Sequence, residues 1–353
     1  MVSQTNEQAL ESAIEKRLTG TCLEDLKASG TTVQEARALY GHSNGYYIGD
    51  TNDFNPKYAV DETRFWHFLE ATQKEELEKL QRSLDWKLKI LERYDRLVKK
   101  YGILRLLRKG LQVEDAHFTL LYQLPMASSS RTVKEHFDKN EFSVTRQIRY
   151  NIVNPREEID MVVFVNGLAL ATLELKNPWT GQTAKVHGIK QFKYDRDTRQ
   201  PLLNFGRAVV HMAVDTDEVY MCTKLSGASS FFLPFNKGNI NGKGNPPNPS
   251  GHKTAYLWDE VFSRESLANI LQHFVRFDGK ATDPLSKRTL FFPRYHQLDV
   301  VRKILAHASK NGVGQTYLIQ HSAGSGKSNS ITWAAYQLIE TYPERDDLPG
   351  AKG

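Results

Sequence analysis

The stretch from Ile159 to Lys176 constrains this chain more than any other. Met161 to Val165 is an apolar run of strand length, Asn166-Gly167 is the pair best suited to a two-residue turn, and Leu168 to Leu175 returns as a second apolar run. Two such runs around such a turn make a β-hairpin. Asp160 stands at the open end of the first strand, and in the second Glu174 and Lys176 are two residues apart. Side chains alternate across a strand, so Glu174 and Lys176 leave one face while Leu173 and Leu175 leave the other. Pairing across the hairpin brings Asp160 beside them. Two acids and a lysine amid apolar neighbours are costly unless paired or used, so the hairpin asks for a chemical reason.

The hairpin lies beyond a change of pattern. From Glu7 to about Arg108 apolar residues recur at three- and four-residue spacing, as in Phe65-Trp66-His67-Phe68-Leu69 and in Leu77, Leu80 and Leu84, which predicts mostly helix. Leu84 to Gly110 is basic and amphipathic, the pattern of a solvated helix face. After a Ser-rich connection at Ala127 to Arg131, strands are predicted at Phe142 to Ile148, in the hairpin, at Ala208 to Val214 and at Val219 to Thr223. Lys237 to Gly251 collects Gly, Asn and Pro into a loop, Asp259 to Phe277 reads as a helix, and Asp278 to Ser286 as a linker. The expected fold class is therefore α/β.

At 353 residues the chain has room for two domains. Its apolar runs fall short of the ~20 residues of a membrane helix, and Met1 to Glu15 has no basic-then-apolar leader, so a cytoplasmic protein is expected. Cys22 and Cys222 lack partners at zinc spacing and read as buried thiols. Basic residues exceed acidic ones by 47 to 41, which permits an anionic partner such as double-stranded DNA without requiring one.

Two acids and a lysine on a strand suit phosphodiester hydrolysis. The carboxylates hold Mg²⁺ through oxygen, the metal activates water and neutralises phosphate charge, and Lys176 orients that water or stabilises the transition state. A Glu-x-Lys pair alone is common on surfaces; the hairpin and its acid give the chemical reading its weight. The phrase Ile159-Asp160-Met161-Val162-Val163-Phe164-Val165-Asn166-Gly167-Leu168, with Leu173-Glu174-Leu175-Lys176-Asn177-Pro178, resembles the PD-(D/E)xK nuclease superfamily. More closely it resembles the restriction subunit of type I restriction enzymes, as does Phe68-Leu69-Glu70-Ala71-Thr72-Gln73.

That resemblance implies a PD-(D/E)xK endonuclease-like domain, a mixed sheet flanked by helices, with Asp160 and Glu174 as metal ligands and Lys176 as the catalytic lysine. It also implies an acid in the first helix, taken as Glu11 with Glu7 and Glu15 as rivals. A Gln and Tyr on the helix after the lysine strand are assigned to Gln191 and Tyr194, three residues apart here where the family has four. Gln147 stands at a further family-like position, with no role the residues define.

A second signal follows. Tyr317 to Gln320 reads as a strand, His321 to Lys327 as a small-residue loop and Ser328 to Ile339 as a helix. Ala323-Gly324-Ser325-Gly326-Lys327-Ser328 matches the end of a phosphate loop, in which backbone N–H groups wrap the phosphates of ATP, Lys327 neutralises them and Ser328 ligates Mg²⁺. His321 occupies the place of the motif's first glycine, a glycine that superfamily 2 helicases commonly lack. Phe292-Pro293-Arg294-Tyr295-His296-Gln297 resembles the adenine-reading element of those helicases, which implies Gln297 on the base.

These signals divide the chain into 1–126, a mainly helical part of the nuclease region; 127–258, the nuclease core; 259–286, helix and linker; and 287–353, the start of a RecA-like domain. The resemblance implies Mg²⁺-dependent cleavage of unmethylated duplex DNA coupled to ATP-driven translocation, with methyltransferase and specificity subunits as partners. No Asp-Glu-x-His or Asp-Glu-Ala-Asp motif follows the phosphate loop before Gly353, so ATP turnover is expected to need further sequence. Two alternatives remain: a repair or defence helicase-nuclease without a methyltransferase, and a DNA-binding assembly module with a silent nuclease site.

Overall fold

The computed structural model describes residues 7–40, 45–126, 128–240, 242–280, 282–312 and 314–341. Ala127 of the Ser-rich connection, Asn241 of the Gly/Asn/Pro loop, Ala281 of the linker and the stretch 342–353 lie outside the described residues.

Strands β1 (Tyr47–Ile48), β2 (Phe54–Asn55) and β3 (Val60–Asp61) are short; β4 (Leu111–Val113) and β5 (Ala116–Phe118) form a separate hairpin. The main strands are β6 (Phe142–Arg149), β7 (Glu158–Val165), β8 (Leu168–Leu175), β9 (Val210–Val214) and β10 (Val219–Cys222), with β11 (Leu233–Pro234) after them. They form one mixed sheet in the order β1-β6-β7-β8-β9-β10-β11, with β3 beside the start of β8 and β2 beside β3. The β1–β6 and β8–β9 pairs are parallel, while β7 is antiparallel to both β6 and β8. The chain is thus mixed α/β, as its pattern predicts.

All eight residues of β8 are buried, because both sheet faces are covered. On one face α1 (Glu7–Thr19) sets Leu10, Ile14 and Leu18 into a core shared with Met161, Val163, Leu173 and Leu175. On the other, Phe192, Leu202 and Leu203 pack with Val162, Phe164 and Ala169. Helices α2 (Leu23–Ser29), α3 (Val33–Tyr40), α4 (Glu62–Thr72), α5 (Lys74–Leu80), α6 (Trp86–Tyr101), α7 (Ile103–Lys109) and α8 (Arg131–Asp138) complete the region before β6. Asp61 caps α4, accepting from the Arg64 N–H at 3.0 Å, and the helix buries Phe65, Phe68 and Leu69 at helical spacing.

The basic segment is two helices. Gly102, at φ +79°, ends α6, which buries Ile90, Leu91, Tyr94 and Val98 and turns Lys99 and Lys100 outward. The hairpin turn forms at Asn166 and Gly167, both left-handed at φ +49° and +76°. Asn166 fastens it, donating to Leu120 O (2.9 Å) and Asn140 Oδ1 (3.0 Å) and accepting from the Glu141 N–H (2.7 Å).

Two expectations require correction. Asp259 to Phe277 is not one helix: a π-turn at Leu257–Val261 gives way at Ser263 to α9 (Arg264–Asn269), a second π-turn spans Ile270–Phe274, and Arg276–Asp278 is a strand paired with Thr289–Phe291. Nor is Tyr317 to Gln320 a strand. Among the described residues no strand lies alongside to complete its ladder, and Leu318 is fully exposed. The helices on either side, α10 (Tyr295–Asn311) and α11 (Lys327–Thr341), do form and pack together. Cys22 and Cys222 are buried free thiols.

Candidate active site

The acid pair owes its position to a single extra residue. At the turn β7 and β8 pair as Val165↔Leu168 and Phe164↔Ala169, but the next pair is Val163↔Ala171, so Leu170 is a bulge. Continued without the bulge, the turn register would set Asp160 opposite Leu173 and put Glu174 on the other face. With it the ladder runs Val162↔Thr172 and Met161↔Leu173, and its next step sets Asp160 opposite Glu174. The Leu175 N–H donates to Asp160 Oδ2 at 2.6 Å, which locks this arrangement.

Glu174 is fully buried, and its two oxygens accept from Arg196 Nε (2.6 Å) and Nη2 (3.0 Å). Burial first, and the neighbouring Asp160 second, push the Glu174 carboxyl well above the usual range, with Arg196 opposing both. Asp160 is raised as well, chiefly by burial, against the pull of Lys176. Lys176 Nζ donates to Glu7 Oε1 on α1 (3.0 Å) and to Leu175 O (3.0 Å). Gly188 lets its helical turn approach the lysine stem: a Cβ there would stand 3.6 Å from Lys176 Cγ and 3.0 Å from Ala213 Cβ. Asp160, Glu174 and Lys176 are therefore together in space.

The other expected site residues lie around this centre. Glu11 does not touch Lys176; it accepts from Arg146 Nε at 2.7 Å. Arg146 also donates to Glu15 Oε2 (3.1 Å) and, through both terminal nitrogens, to Glu24 (2.8 and 3.0 Å). Three carboxylates share one guanidinium, and burial raises Glu11 and Glu15 to about 7 while Glu24 is held down to about 2 by its hydrogen bonds with Arg146 and Ser12. Asp160 is close enough for its charge to raise Glu11 further. Of the three acids on the first helix, it is Glu7 that reaches the lysine.

Gln191 and Tyr194 lie on the π-helical turn Gln191–Asp195, the first half-buried and the second 65% exposed; neither hydrogen-bonds the acid pair. Gln147 adopts φ +52° on β6 and is exposed. Arg196 and Glu24 were not legible as partners, because each meets its counterpart only through tertiary packing.

In the loop that the sequence pattern reads as phosphate-binding, Gly324 and Gly326 take φ +71° and +81°, and α11 starts at Lys327. Lys327 Nζ donates to His321 O and Ser322 O, both at 3.0 Å, so its ammonium lies across the mouth of its own loop. Ala323 is exposed, Ser325 buried, and Ser328 opens the helix at the surface. Gln297 is buried and clamps this loop: its amide donates to Ser325 O (3.2 Å) and Gly326 O (3.1 Å), and its oxygen accepts from the Arg294 N–H (2.9 Å).

Residues 30–230, which include the hairpin and Arg196, match the family model for the N terminus of the type I restriction enzyme R protein. The chain belongs to that family. It is 25% identical over 275 residues to the type I restriction enzyme HindI endonuclease subunit of Haemophilus influenzae, covering 72% of this chain and 25% of that protein. It is also 25% identical over 236 residues to a Methanocaldococcus jannaschii protein provisionally named as the type I restriction enzyme MjaIXP endonuclease subunit, covering 58% and 21%. The chain thus spans about a quarter of the length of these relatives. Among the described residues no helix is long and apolar enough to cross a membrane.

Proposed function

We propose that this chain is the nuclease end of a type I restriction subunit, a cytoplasmic enzyme that cleaves duplex DNA with Mg²⁺ at Asp160, Glu174 and Lys176. The observation that carries the reading is the bulged register, which sets two carboxylates side by side beneath one lysine. Among the described residues no three His, Cys, Asp or Glu side chains cluster as ligands. Two carboxylates are nonetheless enough for Mg²⁺, which takes its remaining oxygens from water and substrate phosphate. The donor set fits: among the described residues Asp160 Oδ1 makes no hydrogen bond, and Glu174 is already paired with a cationic group.

Bound there, Mg²⁺ would supply an activated water and charge neutralisation at the phosphorus. Asp160 is oriented for the task by the Leu175 N–H, and Glu174 by its burial between sheet and helix. Lys176 holds its ammonium between Glu7 and Leu175 O, from where it can donate to a phosphate oxygen or position the attacking water. Glu11, Gln191 and Tyr194 would act on DNA or on the orientation of these groups, since none touches the acid pair.

The phosphate loop supports ATP binding at Ala323, Gly324, Ser325, Gly326, Lys327 and Ser328, with Ser328 on the nucleotide's Mg²⁺. Gln297 would read adenine only after giving up part of its clamp on the loop. Translocation, a RecA-like motor and methyltransferase and specificity partners belong to this proposal for the whole subunit. The test is linearisation of unmethylated plasmid by the full-length subunit with its partners, Mg²⁺ and ATP, comparing wild type with Lys176→Ala. Cutting should vanish while ATP hydrolysis persists; equal cutting by the two proteins would refute the assignment of the nuclease centre.

A further inference from the structure

Arg196 is the residue nearest the acid pair that the nuclease reading leaves without a task. Its side chain is 8% exposed, it joins Glu174 through two parallel hydrogen bonds, and its charge also acts on Asp160. A guanidinium in this fork geometry occupies both oxygens of the carboxylate it meets. A divalent cation needs at least one of the same oxygens. It also carries the same sign of charge, and the two cannot share a desolvated carboxylate without strong repulsion.

Resting on the nuclease reading, we propose that Arg196 and the divalent cation compete for Glu174, so that loading the metal requires the arginine to release it. The arginine is suited to moving. It directly follows the π-helical turn Gln191–Asp195, in extended backbone at φ −104° and ψ 130°, so its side chain can leave Glu174 without unwinding that turn. A second acid is at hand: Glu157, bonded by Tyr150 Oη (2.6 Å) and Asn151 Nδ2 (3.0 Å), already feels the Arg196 charge, which helps hold its carboxyl below the usual range. Arg196 is thus a positioning residue that holds Glu174 in place through both carboxylate oxygens, and it sets how tightly the centre takes its metal.

The experiment is Mn²⁺ binding to the full chain at pH 8.5, followed by the free-ion electron paramagnetic resonance signal. Wild type is compared with Arg196→Gln and Arg196→Lys, each also carrying Glu174→Gln as a control. Removing the competitor should tighten binding about tenfold in Arg196→Gln, with Arg196→Lys between. Mn²⁺ should also raise the melting temperature of Arg196→Gln more than that of wild type, which separates competition from mere loss of structure. Binding that is unchanged or weaker in Arg196→Gln, with no larger melting shift, overturns the competition. Mn²⁺ binding that survives Glu174→Gln in every background instead overturns the metal centre itself.

Discussion

Replacing Glu15 by Gln should make the protein's stability less dependent on pH, and the size of the effect follows from the Arg146 cluster. Glu15 is fully buried; one oxygen accepts from the Leu23 N–H and Arg146, while Oε1 meets no hydrogen-bond donor at all. One guanidinium cannot compensate three carboxylates, so burial raises Glu15 from 4.5 to about 7. The folded protein therefore binds this proton more tightly than the unfolded chain does. The resulting stability is complete below pH 4.5 and is lost as pH rises through about 7. At about 1.4 kcal/mol per tenfold change in proton affinity, the loss is on the order of 3 kcal/mol. Gln keeps the shape and cannot ionise. In urea unfolding of the full chain, the stability of Glu15→Gln relative to wild type should rise by about 3 kcal/mol between pH 4.5 and pH 8.5, less whatever Glu11 takes over through their shared arginine. A difference that stays flat across this range would refute the claim that Glu15 is ionised at a cost.

Two further outcomes are expected. Gly167→Ala should destabilise the fold by more than about 2 kcal/mol, because a Cβ at φ +76° would lie 2.4 Å from Asp61 O and 2.6 Å from Phe65 N; chemical denaturation measures it, and a loss within error would contradict the turn geometry. His211, buried and bonded to Thr172 Oγ1 at 2.7 Å, is pushed down to about 3, so the stability it contributes is lost as pH falls below about 6.5, opposite in sign to the Glu15 contribution. A His211→Gln variant should lose less between pH 6.5 and pH 4, by about 3 kcal/mol, and parallel pH profiles for the two proteins would count against a neutral buried imidazole.

The hairpin, its turn and the α/β class were legible because they rest on local chemistry: a left-handed Asn-Gly pair between two apolar runs. So was the meeting of Asp160, Glu174 and Lys176, though for a reason that spacing alone conceals. Asp160 and Glu174 can face each other across a two-residue turn only if one strand carries an odd residue, and that parity is a signal of the bulge at Leu170. What local pattern could not supply was long-range pairing. Arg196 on Glu174, Glu7 on Lys176 and three acids on Arg146 depend on how α1 and the helical turns before Arg196 dock on the sheet. Tyr317 to Gln320 failed for the converse reason: apolar composition promises a strand, but a strand needs a neighbour.

A ribosome delivers this chain from its amino end, and the sheet is not assembled in that order. Strand β1 lies parallel to β6, pairing Tyr47 with Ser143, and Glu7 bonds a lysine 169 residues further on. Until those later segments emerge, the Leu10, Ile14 and Leu18 stripe of α1 has no sheet to cover and is open to self-association. Contacts of such sequence separation close late and slowly. The acid pair and Arg196 come from one stretch of the chain, 160 to 196, whereas the bond between Glu7 and Lys176 bridges 169 residues and forms only after that stretch has emerged.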